Sequence, residues 1–360
     1  MSSSGRDLLQ LTAELVDIAS VSHDEASAAE FVAGALGDLA HLQTVRIGDN
    51  VISRTSLGRR HRLLVAGHLD TVPPNGNEHA VLCGDRCSGI GACDMKGGLA
   101  VMLELARGLR EPAVDVTFVF YAREEVAQRF SGLLEIEATE ASLLAADAAI
   151  LCEPTSAAVE AGCQGVLRVE VHLKGERAHS ARSWTGVNAI HRLGPLLRRI
   201  DDFEERKPIL QDCEYHESLQ AVRVNGGVAN NVVPDEVCLL LSLRYAPDRT
   251  KDEAFEVLCD YLAPTMDVAR GDSVVIEESA LAAAPNLDHP LLAALVAASS
   301  EPPRAKLGWS DVSFFAGRGV PAANFGPGDP LMAHNAGEWV AKDELEAVYA
   351  GLLRLASCAL

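Results

Sequence analysis

With 360 residues the chain is long enough for one large domain or two ordinary ones, and 48% hydrophobic with 23% charged residues describes a folded globular protein, not a disordered one. A formal net charge of −20 argues against nucleic acid and against anionic membranes, which both call for a basic surface, and leaves an anionic substrate to be met by local cations. No stretch approaches the roughly 18 uninterrupted apolar residues of a membrane span, and the opening Met1-Ser2-Ser3-Ser4-Gly5-Arg6-Asp7 lacks the pattern of an export signal, so a cytoplasmic protein is expected.

Helical periodicity over 8–18 and 26–39 leads into the apolar run Leu63-Leu64-Val65-Ala66, a buried strand that ends at His68. A helix opens near Gly97, with Leu99, Met102, Leu103, Leu105 and Ala106 on its apolar side. Buried strands over 114–122 and 148–152 run into Glu124-Glu125 and Glu153. The alternation predicts an α/β fold with a mostly parallel sheet covered by helices on both faces, whose ligands stand at the carboxyl ends of the strands.

After Gly165 the pattern changes: Leu167, Val169, Val171 and Leu173 alternate with polar residues as in a half-exposed strand. A helix over 187–200, strands over 219–224 and 237–245, a helix over 252–262 and a strand over 274–277 complete a set resembling an α+β sandwich inserted into the first domain. The expected division is 1–165 and 278–360 for the catalytic domain and 166–277 for the insert. Helix-strand alternation resumes at His289, with a short buried strand over 320–325 and a last helix over 342–357. Nine cysteines in a chain of this kind are expected to be reduced thiols, and Cys83, Cys87 and Cys93 lack the paired C-x-x-C of a structural zinc site.

The chemistry collects at the strand ends. His68 and Asp70, two apart, point the same way, so the Asp70 carboxylate is expected to hydrogen-bond the His68 imidazole and fix its tautomer. Asp94 sits in the glycine-rich Gly89-Ile90-Gly91-Ala92-Cys93-Asp94-Met95-Lys96-Gly97-Gly98, where a carboxylate is placed either to bridge two cations or to cap the following helix. Glu124 and Glu125 are adjacent acids that would repel one another without cations; if Glu125 binds metal, Glu124 is free to act as general base toward water. Glu153 ends a third apolar strand, and His334, on a loop rich in glycine and proline, supplies a second imidazole. Grouped as His68, Asp94 and Glu153 on one ion and Asp94, Glu125 and His334 on another, these residues suit two divalent metal ions, Zn2+ first, with Co2+ or Mn2+ also fitting mixed histidine and carboxylate ligation.

Taken in order, these motifs resemble the M20 family of metallo-aminoacylases and peptidases over essentially the whole chain. Further support lies in Arg177-Ala178-His179-Ser180-Ala181-Arg182-Ser183-Trp184, Asn231-Val232-Val233-Pro234-Asp235-Glu236 and Asn324-Phe325-Gly326-Pro327-Gly328-Asp329-Pro330. The resemblance implies His68, Asp94, Glu125, Glu153 and His334 as ligands, Asp70 as the orienting acid and Glu124 as general acid and base. It implies a homodimer assembled through the insert, with His179 reaching into the partner subunit's site to stabilise an oxyanion. Arg244, whose planar donors match a carboxylate two at a time, is the candidate for binding a substrate carboxylate, followed by Asn231 and Arg182. The implied substrate is a small anionic acylated amino acid: N-succinyl-LL-diaminopimelate, hydrolysed to succinate and LL-diaminopimelate on the route to lysine.

Within the same class the alternatives are deacylation of N-acetylornithine or cleavage of a dipeptide. Outside it stands a non-catalytic metal-binding protein, which would have no use for an unligated base at Glu124. A glycosidase using Glu124 and Glu125 is disfavoured, because its carboxyl groups must stand roughly 5 Å or more apart across a bond and sequence neighbours seldom do.

Overall fold

The computed structural model describes residues 7–358; the stretch 1–6, read above for its lack of an export signal, lies outside them. In chain order the main elements are α1 (Leu8–Val16), α2 (Ala26–Gly37), β1 (Gln43–Ile47), β2 (Asn50–Arg54), β3 (Arg62–His68), α3 (Gly97–Gly108), β4 (Asp115–Tyr121), α4 (Gly132–Glu140), β5 (Ala148–Leu151) and β6 (Glu160–Ala161). There follow β7 (Gly165–Lys174), α5 (Ala189–Asp201), β8 (Ser218–Gly226), β9 (Glu236–Tyr245), α6 (Lys251–Leu262) and β10 (Ser273–Ala280). The chain closes with α7 (Pro290–Ala298), β11 (Ala322–Asn324) and α8 (Lys342–Ser357).

Two compact units result. One takes the chain up to Ala161, then Pro285–Arg304 and the stretch from Phe314 onward; the other takes Gly162–Ala284 and Ala305–Ser313. The second unit is wider than the expected 166–277. Cys163 and Ala283 exchange main-chain hydrogen bonds of 3.0 Å in both directions, and the Gln164 amide donates to the Lys306 carbonyl at 3.3 Å. Such main-chain pairing leaves no trace in an apolar pattern, so the sequence marked the strands and not the segments that close them.

In the first unit the sheet runs β1-β2-β4-β3-β5-β11-β6. Its central pairs, β4 with β3, β3 with β5 and β5 with β11, are parallel. Leu63, Val65, Val116, Phe118 and Phe120 pack into one core with α1, α2, α3, α7 and α8, while the alternate residues Leu64, Ala66 and Val119 are equally buried on the other face. A strand buried on both sides has no place for charge except its ends. Gly67 of β3 and Gly98 of α3 allow close packing: a Cβ on Gly67 would meet Leu99 of α3 at 2.9 Å, and one on Gly98 the Cys152 carbonyl oxygen just after β5 at 2.4 Å.

The second unit has an antiparallel sheet ordered β8-β9-β7-β10. Leu167, Val169, Val171 and Leu173 on one face share a core with Leu193, Leu196 and Ile200 of α5 and Leu258 and Leu262 of α6. Asn188 caps α5, and Thr250 with Glu253 forms a capping box on α6. Arg168, Glu170, His172 and Lys174 alternate with the core residues and are part-exposed on the other face. Asp272, buried, accepts two hydrogen bonds from Arg192, at 2.7 and 2.6 Å, and one each from the main-chain amides of Lys174 and Asp267. Among the described residues no helix is long and apolar enough to cross a membrane.

Candidate metal centre

His68 is the last residue of β3, and its imidazole is buried. Its Nδ1 lies 3.0 Å from the main-chain carbonyl of Asp70, and since a carbonyl only accepts, Nδ1 carries the proton. The Asp70 carboxylate, expected to make this bond, stands farther off at 3.6 Å. It has other work: Oδ1 accepts the Glu124 main-chain N–H at 3.0 Å, and Oδ2 accepts the Glu125 N–H at 3.0 Å and the Ser22 hydroxyl at 2.7 Å. Burial opposes its charge, but these donors and His68 bring the Asp70 carboxyl down to about 2. One aspartate therefore fixes the main chain of both glutamates at the end of β4. Arg123, just before them, has φ 63°, a left-handed conformation rare outside glycine.

With Nδ1 committed, His68 Nε2 faces inward, 3.1 Å from Asp94 Oδ1 and 4.0 Å from Glu153 Oε1. The other Asp94 oxygen lies 3.4 Å from His334 Nε2, which is 2.8 Å from Glu125 Oε1. His334 also has φ 63°, in a loop ahead of the short strand Trp339–Ala341. Donor atoms of His68, Asp94 and Glu125 all lie within 4.8 Å of one another. Asp94 does not cap α3, whose N-cap is Lys96, so the bridging alternative is the one the geometry favours.

The electrostatics follow from crowding. Burial works against charge on His68, yet Asp70, Asp94 and Glu153 hold its proton far more tightly than usual. Asp94 and then Glu125 raise His334 to about 10. Burial opposes the charge of Asp94, but His334 and His68 keep it ionised well below the ordinary range. Carboxylates crowd both imidazoles, and the same atoms would face divalent cations. The donor set of imidazole nitrogens and carboxylate oxygens fits such ions.

Glu338 was missed by the sequence reading. Buried, its Oε1 accepts the main-chain N–H groups of Cys93 at 2.8 Å and Asp94 at 3.0 Å, tying the Asp94 turn to the loop that carries His334 four residues earlier. The available signal was an acid, Glu338, leading directly into the apolar Trp339-Val340. Lys96, also buried, donates to the Ile18 carbonyl at 2.7 Å, and burial lowers its ammonium to about 8.

The remaining candidates lie in the second unit. Ala178 and His179 pair antiparallel with Val233 and Val232, and the Ser180 amide donates to the Asn231 carbonyl at 2.9 Å, so His179, Asn231 and Arg182 belong to one loop cluster. His179 Nδ1 accepts the Ala181 N–H at 3.0 Å, which leaves the proton on Nε2. Arg244 is not part of that cluster: it lies near the far end of β9, on the order of 25 Å along the strand from Glu236. Among the described residues it has no carboxylate partner; burial, with Arg168 nearby, draws its guanidinium down.

Residues 64–357 match the family described as Peptidase family M20/M25/M40. A Mycobacterium tuberculosis protein with a provisional assignment as succinyl-diaminopimelate desuccinylase DapE is 47% identical over 91% of this chain and 92% of its own length. A Corynebacterium glutamicum succinyl-diaminopimelate desuccinylase is 39% identical over 96% of this chain and 94% of its own. Among solved structures, a Staphylococcus aureus tripeptidase superposes with a TM-score of 0.78 at 20% identity, covering 98% of each chain, a likeness of fold. The match of the family to nearly three hundred consecutive residues, together with these relatives, means that the chain belongs to peptidase family M20/M25/M40.

Proposed function

We propose that the protein is a two-metal amide hydrolase that removes the succinyl group from N-succinyl-LL-diaminopimelate, releasing succinate and LL-diaminopimelate. The observation that carries this reading is the Asp94 carboxylate, whose two oxygens face imidazoles from different parts of the chain. His68, Asp94 and Glu153 would hold one divalent cation, and Asp94, Glu125 and His334 the other, with zinc the expected ion and cobalt or manganese chemically suitable. Such ions, when bound, acidify water and polarise an acyl carbonyl.

The chain's own groups then divide the work. Glu124 takes a proton from the attacking water and returns it to the leaving amine, from a main chain held by Asp70. His179, supplied by the second copy of a homodimer joined through the second unit, offers its Nε2–H to the oxyanion. Arg244 suits a substrate carboxylate because its guanidinium is half-buried and unpaired among the described residues, with Asn231 and Arg182 adding polar contacts near His179. The charge of −20 supports an enzyme without nucleic-acid or anionic-membrane partners.

Identity to the two desuccinylase relatives supports the substrate. The deciding experiment compares kcat/KM on N-succinyl-LL-diaminopimelate, N-acetylornithine and dipeptides with metal-loaded protein. The succinyl substrate should lead by a wide margin; faster cleavage of either competitor reassigns the substrate, and no turnover on any of them removes the enzyme reading.

A further inference from the structure

The open face of the β8-β9-β7-β10 sheet carries a second group of metal-type donors. Glu170 and His172 are alternate residues of β7 and share a face; Cys238 of β9 stands directly opposite His172 in the antiparallel register. One donor atom from each, a carboxylate oxygen, an imidazole nitrogen and a thiol sulfur, all lie within 4.8 Å of one another. The imidazole is flanked on both sides: Nε2 is 3.2 Å from Glu170 Oε2, and Nδ1 is 3.5 Å from Glu236 Oε1. In a metal-bound state the Nδ1 proton would be directed at Glu236, freeing Nε2 to face the ion beside Glu170 and Cys238. An outer carboxylate fixing the tautomer in this way is a recurrent feature of metal-binding histidines.

Nearby cations account for part of the cluster only. Lys174 pairs with Glu236 at 2.7 Å, and Arg223 lies 3.5 Å from Glu170 Oε1 and 3.2 Å from Glu277. Both leave Glu170 Oε2, His172 Nε2 and the Cys238 sulfur directed at one another. We propose that Glu170, His172 and Cys238 form a further cation site, of the type that takes a borderline-soft divalent ion such as Zn2+. Thiolate with imidazole and a single carboxylate selects zinc over magnesium or calcium, and three protein donors leave a coordination position for water. For each ion bound, the Cys238 S–H bond breaks, the sulfur binds the metal and the proton goes to solvent. The site clips β7 to β9. It is independent of the first unit's reading, because a carboxylate and imidazole centre contains no sulfur donor.

Co2+ titrated into the metal-stripped full chain supplies the test, since a thiolate bound to Co2+ gives a near-ultraviolet charge-transfer band that oxygen and nitrogen donors do not. The expected result is a band whose final intensity corresponds to one thiolate-bound Co2+ per chain, over and above the Co2+ taken by the carboxylate and imidazole centre, and which vanishes in Cys238→Ser, is displaced by Zn2+, and needs about tenfold more Co2+ in His172→Gln or Glu170→Gln. Absence of the band in the unaltered chain overturns the proposal, as does its persistence in Cys238→Ser. A band that needs Cys238 but ignores both His172→Gln and Glu170→Gln also overturns it, since the thiol would then be binding alone.

Discussion

The two sheets present polar chemistry by different routes. In the first unit β3, β4 and β5 are buried on both faces, so histidine and carboxylates gather where the strands stop. In the second unit α5 and α6 cover one face of the sheet, and the other displays polar and charged residues along β7 from Arg168 to Lys174. Ends concentrate groups from segments far apart in sequence onto one point. A face spreads them in files, and only the register between neighbouring strands brings particular ones together, as it does His172 and Cys238.

The sharpest test of the strand-end side is Glu124→Gln. Turnover should fall about a thousandfold while bound metal stays near that of the unaltered protein, because general-base groups contribute on the order of 10²–10⁴. Substantial remaining activity would move the chemistry away from the end of β4. On the other side of the comparison, Asp272→Ala should lower the unfolding free energy by about 3 kcal/mol in denaturant titration, since it strands Arg192 and two main-chain amides. An unchanged midpoint would mean that the second unit does not depend on this buried pair.

A smaller effect is expected from Glu338→Gln: metal affinity, by competition with a chelator, should fall about ten- to hundredfold while the metal-free protein melts within a few degrees of the original. Unaltered affinity would show that the Asp94 turn holds its shape without that carboxylate. The smallest effect concerns the opposite end of the same strand. Asp115 opens β4 and accepts from the Leu57 and Arg59 amides and the Thr55 hydroxyl. Burial opposes its charge, yet these donors and Arg62 carry its pKa below the ordinary 3.8. A depressed carboxyl stabilises the fold fully above its unfolded value and loses that contribution as pH falls through the folded one. Asp115→Asn should therefore cost about 1 kcal/mol at neutral pH and flatten the acid limb of a stability profile; a limb as steep as before would assign it to other carboxylates.

The contrast also explains what could be read from residue order alone. A continuous apolar run that stops at a histidine or a pair of acids is a mark in the text, and β3, β4 and β5 with His68, Glu124-Glu125 and Glu153 were located by it. The last helix was legible to the residue because Lys342-Asp343-Glu344 opens a clear apolar period. Main-chain recognition leaves no such mark. That the Asp70 carbonyl faces His68 while its carboxylate serves Glu124 and Glu125, or that Glu338 reaches back to Cys93 and Asp94, depends on loop shapes set by tertiary packing. In β7 the series Arg168, Glu170, His172 and Lys174 looks like any wet strand edge-on. Nothing in it distinguishes His172 until β9 supplies the cysteine across from it.

The hydrogen bonds of Asp70 have a consequence for variation at this place. One side chain accepts the amides of two consecutive residues for which different tasks are proposed, so a change at Asp70 would disturb both acids at once. Loss of affinity for the ion and loss of speed would then arrive together from a single exchange at Asp70, whereas exchanges within the pair would separate them.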